Sequence, residues 1–307
     1  MKISTHLLFE RATKQMTTSQ NNLAKSQAQL AQGKQIINPS DAPDQASTVQ
    51  RLKSILTRQE SYQTALNTVQ NRLQGEDSTL SSVSDLLIRA KEVAVQANND
   101  TLSPDNRRAL GVELQVLRDQ MLSLANTKDT SGNYLFAGSK VTQPPFVSVA
   151  GGSPQYVGDQ TRMSVMVGEN RTMPINRTGT DAFVPVNRPL PDGTVQGVGF
   201  FNAMDDLIKG VNTTDRPKMQ GGLSELDSLL GGLSMARAKI GSGLKGIDQQ
   251  TSVIEDTVLN LKTTLSSVED LDYASAITKM NQQMLSLEAA QSSFAKISQL
   301  SLFNYIK

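Results

Sequence analysis

Few residue groups in this chain could do chemistry. The first is Gly241-Ser242-Gly243-Leu244-Lys245-Gly246, which has the GxGxxG spacing that brings backbone amides against a dinucleotide pyrophosphate. That chemistry needs a strand before the glycines and a helix after them, inside a βαβ unit. Here Leu229 to Ile240 and the residues downstream both read as helix, so the glycines mark a flexible or closely packed part of one long helix. The only imidazole is His6, so a Ser-His-Asp arrangement or a multi-histidine metal centre would have to be assembled around it. Asp41 and Asp44 flank a proline turn without the ligand spacing of a calcium loop, and read as turn formers. Cysteine is absent, which removes disulfides, thiolate metal sites and cysteine nucleophiles together.

Charge narrows the field further. Lys and Arg number 30 against 29 for Asp and Glu, so no net field draws a nucleic-acid backbone or an anionic membrane surface. The basic residues are scattered away from aromatic ones, unlike a platform for stacking single strands. No stretch is apolar for long enough to span a membrane, and the start from Met1 to Glu10 is too short in apolar residues for a signal-peptide core. The sequence predicts a non-enzymatic chain with no cofactor, no metal, no nucleic acid and no membrane insertion.

The elements account for most of the residues instead. Aromatic residues are 4% and Trp is absent, while Gln, Ser, Asn, Leu and Ala are abundant, which favours long helices. Phe9, Met16, Leu23, Leu30 and Ile37 recur every seven residues beside a row of small residues, Ala12, Ser19, Ser26 and Gly33. Gly33 and the run Asn38 to Asp44, with Pro39 and Pro43, end this helix in a turn. A second helical run carries Leu52, Ile55, Tyr62, Leu66, Val69 and Leu73, and a third carries Leu80 to Ala97, with Gly75 as a break between them. Ser103-Pro104-Asp105 reads as an N-cap, a first-turn proline and a first-turn acid, opening a helix with Leu110, Leu114, Leu117, Met121 and Leu124 along one seam.

Residues 132–199 change character, with most of the proline, many glycines and alternating runs such as Met163 to Val167 and Met173 to Ile175, so a small β-rich domain is expected there. Helix resumes from Phe200 to Val211 and from Leu223 to Leu265, with Ile240, Ile247, Ile254, Leu261 and Val268 seven apart. A last helix carries Tyr273, Ile277, Met280, Met284, Leu287 and Phe294 at alternating four and three spacing. The predicted fold is mainly α: an elongated antiparallel helical bundle or coiled coil built from both chain ends, with a small inserted β-rich domain. Its expected parts are 1–44 with 273–307 as a terminal coiled-coil assembly domain, 45–131 with 200–272 as a helical rod, and 132–199 as the insert. The assembly seam is expected at Phe9, Met16, Leu23, Leu30 and Ile37 and at Ile277, Met280, Met284, Leu287 and Phe294.

Both ends also resemble a known family. Ile3-Ser4-Thr5, Gln29 to Lys34, Ile37 to Pro43, Leu287 to Gln291, Ala295-Lys296-Ile297 and Leu300 to Ile306 look like the terminal helices of the flagellin superfamily. Pro39-Ser40-Asp41-Ala42-Pro43, Gly132 to Gly138 and Pro144-Pro145-Phe146 resemble its hook-associated members rather than its filament subunits; Ala42, where a second acid is common, is a small departure. The resemblance implies a secreted, extracellular structural subunit of the bacterial flagellum. Such a subunit is exported unfolded by the type III system with an export chaperone, and forms a ring of like subunits between hook-associated protein 1 and flagellin at the hook-filament junction. On that reading Ile277, Met280, Met284, Leu287 and Phe294 are candidates for chaperone binding. Filament flagellin and, from another class, a cytoplasmic helical scaffold are the alternatives. Five seam residues bury too little to offset the entropy of ordering a helix of some thirty residues, so the terminal helices are expected to need neighbouring subunits.

Overall fold

The computed structural model describes residues 2–149, 151–189 and 194–303. Side chains at 2–6, 8 and 297–303 lie outside that description, and with them His6, Ile3-Ser4-Thr5, Ile297 and the Leu300 to Ile306 motif. Helix α1 covers Lys2–Gln32, α2 Pro43–Ala97 and α3 Pro104–Ala125. α1 stops where Gly33 takes a left-handed φ of 67°. Asp41 shapes the connection that follows, its carboxylate accepting from the backbone N–H groups of Ile37 at 3.2 Å and Asn38 at 2.9 Å. Pro43 then opens α2 where a missing N–H costs nothing. α3 opens as its sequence predicts: the Ser103 hydroxyl accepts from Asn106 N–H at 3.2 Å, Pro104 follows, and Asp105 faces the positive end of the helix dipole.

Two helical expectations change. α2 is unbroken through Gly75, because the buried row Leu66, Val69, Leu73, Glu76, Leu80, Val83 and Leu87 keeps its three-and-four step across that position. A glycine costs about 1 kcal/mol inside a helix, less than the packing of that seam supplies. In α3 the buried row is Arg107, Gly111, Leu114, Leu117, Met121 and Ala125, which leaves Leu110 and Leu124 only half-buried. The small residues let α3 close on the helix α5, Phe200–Thr213, where a Cβ on Gly111 would run into the Asn212 side chain.

The insert consists of three antiparallel hairpins: β1 (Phe146–Val147) with β2 (Gln155–Tyr156), β3 (Ser164–Gly168) with β4 (Arg171–Pro174), and β5 (Val186–Pro189) with β6 (Val195–Val198). They share no common sheet. A one-turn helix α4, Gly179–Ala182, is capped by the Thr178 side chain. Aromatic rings hold this region together in place of a sheet. Phe183 meets Phe136, Phe146 and Phe200 edge to face, with centroids 5.4, 5.3 and 5.2 Å apart. Phe200 and Phe201 enter from the first turn of α5, so the hairpins rest on a helix rather than on one another.

α6 runs from Arg216 to Glu269 and α7 from Tyr273 to Phe303. Gly241 to Gly246 lie inside α6, as the helical reading of that stretch requires, with no strand before them. Gly243 is a packing position, where a Cβ would stand 3.1 Å from Leu73 Cδ1, whereas Gly241 has nothing within 4 Å. The chain divides into two compact units, residues 1–58 with 255–307, and residues 59–254. The second contains the aromatic cluster, the α3–α5 pair and the fully buried part of the α2 seam. The first contains α1, α7 and the ends of α2 and α6 that adjoin them.

Candidate assembly interface

α1 and α7 pair antiparallel along their length. Phe9 meets Phe294 edge to face at 5.4 Å, and further along the Ser26 hydroxyl donates to Gln283 Oε1 at 2.8 Å. The face of α1 turned to its partner is Phe9, Ala12, Met16, Ser19, Leu23, Ser26 and Leu30, alternating by three and four; of these only Ser26 is buried. Ile37 lies beyond the end of α1, and its neighbour Ile36, not singled out in the sequence, is the buried residue there.

On α7 the half-buried row is Ala276, Met280, Gln283, Leu287, Ala290 and Phe294. Ile277 and Met284 sit one residue off that row and are 46% and 40% exposed, next to Leu285 at 67% and Tyr273 at 53%. α7 is therefore apolar over more of its circumference than α1 covers. Two helices can bury one stripe each; the second stripe of α7 is left in water.

The pair begins at a compact polar junction. Glu269, the last residue of α6, has a side chain only 6% exposed, and its Oε1 receives Lys34 Nζ at 2.9 Å and Lys53 Nζ at 2.8 Å. Burial pushes its carboxyl up, but the hydrogen bonds from Lys53 and Lys34 outweigh this and hold it below the ordinary carboxylate value. Its backbone carbonyl accepts from Gln35 N–H at 2.8 Å, and Gly33 O accepts from Leu271 N–H at 3.0 Å. Asp272 then caps α7 by accepting from Ala274 N–H at 3.0 Å. In the sequence, Glu269-Asp270-Leu271-Asp272 is legible only as an interruption between helices. Its ion-pair partners are some 216 to 235 positions away in the chain, so no local signal reveals them.

A second buried carboxylate, Glu76, lies in the unit of residues 59–254. Arg177 Nε stands 3.1 Å from its Oε2 and Arg72 Nε 3.6 Å from its Oε1. Burial pushes its carboxyl up to about 7 against the pull of Arg177 and Arg72. Arg72 also donates to Leu135 O at 2.9 Å, so the group ties α2 to the loop after α3 and to the segment after β4. This is a structural knot whose carboxylate is fully buried. Asp41 is engaged by Lys25 at 2.7 Å and by the turn it shapes. Among the described residues no group of three or more His, Asp or Glu could hold a metal ion, and no helix is long and apolar enough to cross a membrane.

Terminal helices that enclose a different central segment define a flagellin-type subunit, and the similarities agree. The bacterial flagellin N-terminal helical region matches residues 3–141, and the C-terminal helical region matches 223–306. Flagellar hook-associated protein 3 of Salmonella typhimurium is 31% identical over 99% of both chains, and that of Escherichia coli is 30% identical over 100% of both. A flagellar hook-associated protein structure from Vibrio parahaemolyticus has the same fold, with a TM-score of 0.67 at 20% identity, covering 75% of this chain and 100% of that one. The chain belongs to the bacterial flagellin family, on its hook-associated protein 3 branch. Its relatives are structural proteins of the flagellum, not enzymes.

Proposed function

We propose that this chain is the hook-filament junction subunit of the bacterial flagellum. It forms a ring of like copies between hook-associated protein 1 and flagellin, outside the cell, and catalyses nothing. The observation that carries this is the incomplete burial of the α1–α7 pair. Every apolar residue of its α1 face is only half-buried, and α7 keeps a second stripe, Ile277, Met284 and Leu285, in water. Neighbouring copies supply the missing faces, so α1 and α7 are unfolded in the free subunit and order on assembly. The near-neutral, Gln-rich flanks of α1 suit a helix packed among copies of itself, where repeated charges would repel. The parts 1–44 with 273–307, 45–131 with 200–272, and 132–199 serve as assembly, rod and outer domains.

Electron microscopy of cells lacking the gene, with immunoblotting of the medium for flagellin, tests the role. Bare hooks with monomeric flagellin in the medium are expected. Normal filaments, or loss of flagellin itself, would overturn it.

Before assembly the chain is exported unfolded by the flagellar type III system, with a chaperone covering α7 at Ile277, Met280, Met284, Leu287 and Phe294. Polar substitution of these five should abolish chaperone capture; unchanged affinity would remove the chaperone from this site.

A further inference from the structure

The terminal helices carry little that fixes their mutual register. Their facing rows repeat at heptad spacing, so a slide of seven residues exchanges one apolar contact for another. The α1 flanks are mostly Gln and Asn, and among the described residues no ion pair joins α1 to α7. In helical pairs of this kind a buried polar group is what selects one register over its neighbours. Within the pair that role falls to one contact, the Ser26 hydroxyl on Gln283 Oε1, and a second buried polar group stands at the root of the pair. Glu269 gathers Lys34, just past α1, and Lys53 of α2, while two backbone hydrogen bonds, Gln35 to Glu269 and Leu271 to Gly33, stitch the exit of α1 to the entry of α7. Gly33 holds a left-handed φ of 67° at this exit, and the hydroxyl of Tyr273, the first residue of α7, lies against it.

We propose that Glu269, with Lys34 and Lys53, is a register staple: it persists in the free subunit and fixes the alignment in which α1 and α7 pair when neighbouring copies order them. This rests on the assembly reading above. Glu269 acts through the two chain connections and is a positioning residue. Both lysines are more than 40% exposed, so removing the carboxylate returns them to water and leaves the rest of the subunit folded.

The chain has no cysteine, which allows a direct test in the full-length subunit. Ser26→Cys is combined with Gln283→Cys, the observed register, or with Ala276→Cys or Ala290→Cys, one heptad to either side on the same face of α7. Disulfide formation is followed in a glutathione buffer in subunits assembled with neighbouring copies, where α1 and α7 are ordered. The in-register pair should be preferred by about tenfold with Glu269 present, and the three pairs should fall to within about twofold of one another in Glu269→Gln. The double variant Lys34→Met with Lys53→Met should lose the preference equally. A preference unchanged in both variants would overturn the staple. Hydrogen exchange of the α1 and α7 amides in the free subunit reads the ordering separately. Protected amides in the free subunit would contradict the assembly reading, whatever the cross-linking ratio shows.

Discussion

The α2 seam between residues 59 and 97 and the α1 face between residues 9 and 30 are written in the same heptad spacing and end in different states. Leu66, Leu80, Val83 and Leu87 are 0% exposed; among the described residues of α1 only Ser26, a polar residue, is buried. Periodicity says which face of a helix is apolar, and the number of elements packed on that face decides whether it is finished. α2 has a covered face within its own unit; the α1 face is turned to α7 and is left half-buried there.

Truncating each seam separates the two states most strongly. Leu80→Ala or Leu87→Ala should lower the urea-measured stability of the free subunit by about 2–5 kcal/mol, because each leaves a cavity in a closed core. Leu23→Ala and Leu30→Ala should leave that stability within about 0.5 kcal/mol of the parent while weakening assembly into the junction. Equal losses of subunit stability at both seams would erase the distinction.

A smaller effect is expected where the glycines of α6 meet neighbours. Gly222→Ala places its Cβ 2.8 Å from Leu207 Cδ1 and 3.1 Å from Leu207 Cβ, and should cost about 1–3 kcal/mol by thermal unfolding.

Two of the buried carboxylates, Glu76 and Glu269, make the same contrast in pH dependence. The Glu76 carboxyl is raised to about 7 in the folded chain, from an ordinary value of 4.5. The folded state therefore holds a proton there that the unfolded chain has lost, and this group's contribution declines as pH rises from about 4.5 to about 7. Glu269 is lowered, so its contribution is present above the ordinary value and is lost as pH falls through its folded value. Hydrogen exchange within residues 59–254 should slow as pH drops from 7.5 to 5 after correction for intrinsic rates, and Glu76→Gln should flatten that response. A flat response in the parent would contradict the sign. The smallest effect is a gain: Gly231→Ala and Gly241→Ala meet nothing within 4 Å and should each stabilise by about 0.5–1 kcal/mol.

What was legible in the sequence was local. The stop at Gly33, the Asp41 turn and the Ser103-Pro104-Asp105 start are set by residues within four positions of one another, and each forms as expected. The break at Gly75 failed because a glycine's local cost was weighed without the seam on either side of it. On α7, apolar residues at 277, 280, 284, 285 and 287 span more than one stripe, so spacing alone did not show that Met280 and Leu287 face α1 while Ile277 and Met284 face away. Glu76 and Glu269 were not legible at all. Glu76 sits in a helical run and Glu269 at an interruption between two, each like any solvated acid, and only tertiary partners such as Arg177 and Lys34 make it a buried anchor.

Completion of the α1–α7 pair by neighbouring copies can be read by limited proteolysis of the full-length subunit, free and in isolated hook-filament junctions. Rapid cleavage is expected within residues 2–32 and 273–303 of the free subunit, with protection of 59–254, and protection of all three in the junction. Termini that resist the protease in the free subunit as firmly as residues 59–254 do would contradict it.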